Sequence, residues 1–85
     1  MANKALAGDV PGLRVIRAKR VYEQIAEQIE GMIRSQQYKP GEKIPTEREL
    51  AKLLSVSRPS VREAMIALEA TGLIEVRVGD GTYVL

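Results

Sequence analysis

A mainly α-helical domain closed by a small antiparallel β-hairpin is the fold class that this 85-residue sequence predicts. Three observations carry that expectation. Apolar residues recur at helical spacing in three stretches between residues 19 and 71, capping or chain-breaking residues separate those stretches, and the pattern then changes to two β-rich runs around Gly79-Asp80-Gly81. Domains commonly hold roughly 100 to 150 residues, so a chain of this length closes one core and not two.

Composition narrows the chemistry before any motif is considered. Hydrophobic residues make up 45% of the chain, enough for a packed core, but Phe and Trp are absent and only three tyrosines, Tyr22, Tyr38 and Tyr83, are aromatic. The core must therefore be aliphatic. With no His and no Cys, the chain cannot build structural zinc sites, disulfides or thiol and Ser-His-Asp nucleophile systems. No enzyme, metal site or cofactor is expected. No apolar run approaches the roughly 20 residues of a membrane span, and residues 1–20 lack the apolar stretch of a signal peptide, so the expectation is a cytoplasmic protein with no membrane partner.

The formal net charge of +2 is unevenly placed. Residues 1–20 carry Lys4, Arg14, Arg17, Lys19 and Arg20 against Asp9, a balance of +4, and the remainder carries 8 basic and 10 acidic residues, a balance of −2. Residues 1–18 thus read as a basic arm, and their mixture of Ala, Gly, Pro and polar residues offers too little burial to offset the ordering entropy. A disordered arm over 1–18 is expected, either solvated or touching phosphate.

The domain proper is expected over 19–85. Val21, Ile25, Ile29, Met32 and Ile33 form one stripe on a first helix near Lys19 to Gln36, within which Gly31 marks either a close helix contact or a tolerated weakness. Tyr38-Lys39-Pro40-Gly41 breaks the chain, and Lys43-Ile44 before Pro45 forms a very short strand with Ile44 inward. Thr46 and Glu49 have the spacing of a capping box at the start of a second helix, Glu47 to Leu54, whose buried face is expected to be Leu50, Ala51, Leu53 and Leu54. Ser57 caps a third helix, Arg58 to Thr71, with Pro59 in its first turn, Val61, Ala64, Met65 and Leu68 inward, and Gly72 as the stop. Leu73–Val78 and Thr82–Leu85 then make the hairpin.

Two helices joined only by Ser55-Val56-Ser57 must cross steeply, which places a helix-turn-helix at about 47–66 and a flanking wing at about 73–85. The order of elements is that of a winged helix-turn-helix. Ser57, Arg58, Pro59, Ser60 and Arg62 crowd the exposed N-terminal end of the third helix. A helix of this width enters the DNA major groove, where a guanidinium bonds both acceptors of guanine and hydroxyls reach phosphate or base edges. The alternative is a solvated surface on which Arg62 pairs with Glu63 or Glu69. Arg48 lies on the second helix, which crosses the phosphate backbone in such complexes, so it positions more than it specifies unless it is occupied by Glu49. Glu47 and Glu49 face apart and offer no acid-base pair.

The runs Pro40 to Ala51, Val56 to Ala64, Gly72-Leu73-Ile74 and Gly79 to Val84 resemble the DNA-binding domain of GntR-family bacterial transcription regulators, over Val21 to Leu85. The Arg-Pro-Ser-Val-Arg-Glu-Ala stretch is most similar to the FadR-type branch. That resemblance implies operator-gripping arginines at Arg48, Arg58 and Arg62, hydroxyl contacts at Ser57 and Ser60, and a wing glycine, Gly79, entering the minor groove. Ser55 stands where the family usually has glycine, and Val78 where some members carry a polar residue. The resemblance also implies an all-helical ligand-sensing domain after the wing, a homodimeric full-length parent, a palindromic double-stranded operator and repression; the 85 residues themselves, with no apolar stretch left over for a coiled coil or large symmetric interface, are expected to be largely monomeric. A winged helix used for protein interaction without DNA is the other function class, and steep salt dependence separates the two.

Overall fold

The computed structural model describes residues 10–15 and 19–85. Most of the expected arm, including Arg17, lies outside the described residues; within 10–15 a turn is closed by the Leu13 amide donating to the Val10 carbonyl at 3.1 Å. The elements run α1 (Val21–Arg34), β1 (Lys43–Ile44), α2 (Glu47–Leu54), α3 (Arg58–Ala70), β2 (Ile74–Arg77) and β3 (Gly81–Val84). Each boundary falls within two residues of its expected place, and the loop at the wing tip lies one residue earlier than expected.

Local side-chain chemistry starts the helices. At α2 the Glu49 amide donates to Thr46 Oγ1 at 3.1 Å and the Thr46 amide donates to Glu49 Oε1 at 2.8 Å, so each of two amides with no helical partner is satisfied by the other residue's side chain. At α3 the Ser60 amide donates to Ser57 Oγ at 3.2 Å, and Pro59 occupies a first-turn position where no N–H is needed.

All three helices stop in the same way. At the end of α3 the Leu73 amide reaches back to the Leu68 carbonyl at 3.2 Å and the Gly72 amide to Glu69 at 3.0 Å, with Gly72 at φ +80°. This is the Schellman arrangement, which needs a left-handed residue to turn the chain. Helix α2 repeats it with the Val56 amide on Ala51 and Ser55 at φ 56°, and α1 with the Gln37 amide on Met32 and Gln36 at φ 68°. A glycine at position 55 would adopt this left-handed backbone without the side-chain cost that Ser55 bears.

The strands form one antiparallel sheet in the order β1-β3-β2. Ile74 pairs with Val84 and Arg77 with Gly81 across the hairpin, and Lys43 pairs with Tyr83 on the other side of β3. The short β1 is therefore the third strand of the wing sheet, and the ladder continues where the Val84 amide donates to the Glu42 carbonyl at 2.9 Å. Gly81 lies inside β3, so the loop is Val78-Gly79-Asp80, closed by the Asp80 amide on the Arg77 carbonyl at 2.9 Å.

A single aliphatic core joins every element. Ile25 and Ile29 of α1, Ile44, Leu50, the α3 residues Val61, Ala64, Met65 and Leu68, and the wing residues Ile74 and Val84 are all buried. Burying each large aliphatic side chain stabilises by about 1.5–3 kcal/mol. Two expected core positions differ. Leu53 is 72% exposed because α2 has only two turns and presents Leu50 inward, and Val21, the first residue of α1, is 46% exposed.

Candidate nucleic-acid interface

Helix α3 divides sharply by face. Val61, Ala64, Met65 and Leu68 lock it against the core, so the positions at Arg58, Arg62 and Ile66, spaced one turn apart, are left exposed on the outside. The half-buried Ala51 and Val56, beside fully buried Val61 and Ala64, let α2 and α3 approach closely beneath that face. The expected site residues Ser57, Arg58, Pro59, Ser60 and Arg62 thus come together at the exposed N-terminal end of α3.

The arginines are already engaged. Arg62 donates through Nε to Glu47 Oε2 and through Nη2 to Glu47 Oε1, both at 2.9 Å, a two-pronged contact. Arg58 donates through Nε to Glu47 Oε1 at 3.1 Å. Hydrogen bonding from Arg62, joined by Arg58 and both positive charges, holds the Glu47 carboxyl below the usual carboxylate range. The pairing of Arg62 with Glu63 or Glu69 expected as the alternative does not form. Glu69 instead accepts the Val76 backbone amide at 3.1 Å, tying α3 to the wing.

Ser57 and Ser60 form a small hydroxyl pair. Ser57 Oγ accepts the Ser60 amide and donates to Ser60 Oγ at 2.9 Å, which leaves the Ser60 proton for an outside acceptor. Arg48, one residue further along α2 than Glu47, is exposed, and it forms no ion pair with Glu49 or with any other described residue. Nothing among the described residues competes for its guanidinium.

The wing is braced from below. Arg77 lies over the Tyr83 ring at 4.1 Å, Tyr83 Oη donates to Asp80 Oδ1 at 2.8 Å, and Lys43 approaches Asp80 at 3.9 Å. Asp80 accepting the phenolic proton pushes the Tyr83 ionisation above its ordinary range. At the tip Val78 is 98% exposed, and Gly79 sits at φ +78° with open space around it. An open cleft separates wing from recognition helix, walled by Glu47, Arg62, Ile66, Glu69, Val76 and Thr82.

Sequence reasoning missed Glu47 as a member of this surface. Its only local signal was an acidic residue at the first position of a helix, which is ordinary helix chemistry. The contact arises from the crossing of α2 and α3, which brings together residues 11 and 15 apart in sequence.

A helix-turn-helix whose third helix exposes two arginines at its N-terminal end, followed by a projecting hairpin, defines the class: a winged-helix DNA-binding domain. Solved structures agree. The DNA-binding domain of AraR bound to operator ORX1 superposes with a TM-score of 0.78 at 37% identity, covering 80% of this chain and 82% of that one. A GntR-family regulator from Listeria monocytogenes gives 0.76 at 33% identity, covering 82% and 61%. The sequence profile of "Bacterial regulatory proteins, gntR family" matches residues 21–84, and the chain belongs to that family. Among curated relatives, the Uxu operon transcriptional regulator of Escherichia coli (strain K12) is 50% identical over 68 residues, 80% of this chain and 26% of that protein. HTH-type transcriptional regulator Mce2R of Mycobacterium tuberculosis is 49% identical over 72 residues, 85% of this chain and 30% of that protein. The chain thus spans under a third of these relatives. It is a GntR-family DNA-binding domain and not an enzyme, and no helix among the described residues is long and apolar enough to cross a membrane.

Proposed function

We propose that this domain reads a palindromic operator for a homodimeric, ligand-responsive, cytoplasmic repressor of the FadR-type branch. In that reading the domain occupies 19–85, 1–18 is a basic arm, and the sensing domain belongs to the longer parent. Arg58 and Arg62 bond guanine, Ser57, Pro59 and Ser60 pack and bond against the strand edge, Arg48 grips phosphate, and Gly79 lets the wing approach the minor groove. The observation that carries this reading is the convergence of Ser57, Arg58, Ser60 and Arg62 on one exposed helix end, with Arg48, unpaired among the described residues, alongside and the wing beyond the cleft. The names of two relatives point the same way: NanR of Enterobacter sp. (strain 638), 42% identical over 67 residues, is named a repressor, and the AraR domain was solved on an operator.

Selection of bound duplexes from a random pool tests it. A recovered motif with two-fold symmetry is expected with the dimeric parent, and a half-site with this fragment, which should sediment as a monomer. On the recovered duplex, Arg58→Ala or Arg62→Ala should lower the ratio of operator to scrambled affinity, because each bidentate guanine contact discriminates by about 1–3 kcal/mol. Arg48→Ala should weaken both duplexes equally and flatten the salt slope by about 1. A ratio unchanged within about twofold removes that arginine from base readout.

A further inference from the structure

Glu47 holds three N–H donors from two arginines on a different helix, although it contributes nothing to the core. Both arginine side chains are more than half exposed, and Glu47 is 25% exposed. Exposed ion pairs are typically worth less than about 1 kcal/mol, so stability is a poor account of three converging contacts. Geometry gives a better one. A guanidinium has two usable edges, one formed by Nε with one Nη and one formed by the two Nη groups. Glu47 occupies the first edge of Arg62 and the Nε of Arg58, and it leaves the outer Nη donors of both without a partner among the described residues. That outer edge carries two parallel donors, a pair that matches O6 and N7 of guanine.

We propose that Glu47 is a specificity-determining positioning residue of this surface, acting through Arg58 and Arg62: it holds Arg62 by its inner edge and Arg58 by its Nε, points their free Nη donors at the bases, and cancels one of their two charges. The inference rests on the base-reading role of the two arginines. It adds that the protein trades phosphate affinity for discrimination. Phosphate attraction grows with each positive charge whatever the sequence, whereas guanine bonding depends on orientation. A carboxylate placed between the two arginines lowers the first and improves the second.

The test uses the motif selected by the wild-type chain and measures affinity for that duplex and for its scrambled version across a salt series, with circular dichroism confirming each fold. E47Q removes the charge and should raise affinity for scrambled DNA several-fold, steepen its salt slope by up to about 1, and lower the operator-to-scrambled ratio by about tenfold. E47D keeps the charge but is one methylene too short to hold both arginines. It should lower the ratio while leaving scrambled affinity within about twofold of wild type. A residue serving only as the first-turn charge of α2 would give an E47D variant identical to wild type, and that result overturns the proposal. So does a folded E47Q with an unchanged ratio. Failure of the wild-type chain to select any motif removes the base-reading assignment beneath it, an outcome distinct from a clear motif that ignores Glu47.

Discussion

Ser55 and Gln36 hold the left-handed backbone that α3 gives to Gly72. A side chain in that conformation costs about 1–2 kcal/mol, and glycine gives back about 0.5–1 kcal/mol through its freer unfolded chain, so Ser55→Gly should stabilise the domain by about 0.5–1 kcal/mol. In a domain of this size that is a melting-temperature rise of roughly 2–8 °C, read by thermal circular dichroism. Gly72→Ala should move the other way by about 1 kcal/mol. The carboxylates give a second prediction. Glu49 is held below its ordinary value of 4.5 by hydrogen bonding to the Thr46 backbone and hydroxyl, and Glu47 below the same value by Arg62 and Arg58. A depressed folded pKa contributes stability that is complete above the unfolded value and lost as pH falls through the folded one. Urea midpoints should therefore drop on acidification below about pH 4.5, and Glu49→Gln should flatten part of that drop.

At the scale of elements, α1 carries a glycine with no task. Gly31 is exposed, and a Cβ built there meets nothing within 4 Å, so of the two readings open from sequence the tolerated weakness holds and the close contact does not. Gly31→Ala should stabilise α1 by about 1 kcal/mol and leave DNA affinity untouched, because α1 packs on the inner side of α3. Equal shifts in melting temperature and in operator affinity would contradict that separation. The wing was half legible. Its strands follow from the β-rich runs, yet the tip lies one residue earlier than the Gly-Asp-Gly pattern suggested, since the three-residue loop places its left-handed position at Gly79 and needs no second glycine in the turn. The third strand was visible only as an isolated pair, Lys43-Ile44, because its partner is nearly forty residues away.

For the whole molecule, one core means one cooperative unit. Ile74 belongs to the wing but is fully buried in the cluster shared with α1 and α3. Ile74→Ala should cost about 2–5 kcal/mol and lower the helical melting temperature together with the loss of wing amide protection in hydrogen exchange. Loss of wing protection at an unchanged helical melt would mean the wing unfolds alone.

Sequence by itself determined the three helices, the caps of α2 and α3, the stop at Gly72, most of the aliphatic core and the cluster Ser57, Arg58, Ser60 and Arg62. These follow from local rules: hydrophobic period, the Thr46 and Glu49 spacing, and glycine or a short polar residue at a chain reversal. Tertiary structure alone decided that Leu53 faces solvent, that β1 joins β3, that Glu69 ties α3 to the wing, and that Glu47 rather than Glu63 or Glu69 holds Arg62. Each of those depends on the angle and distance at which separate elements meet. Periodicity says which face of a helix is buried, but a partner on another element is chosen by the crossing geometry, which packing of the shared core sets.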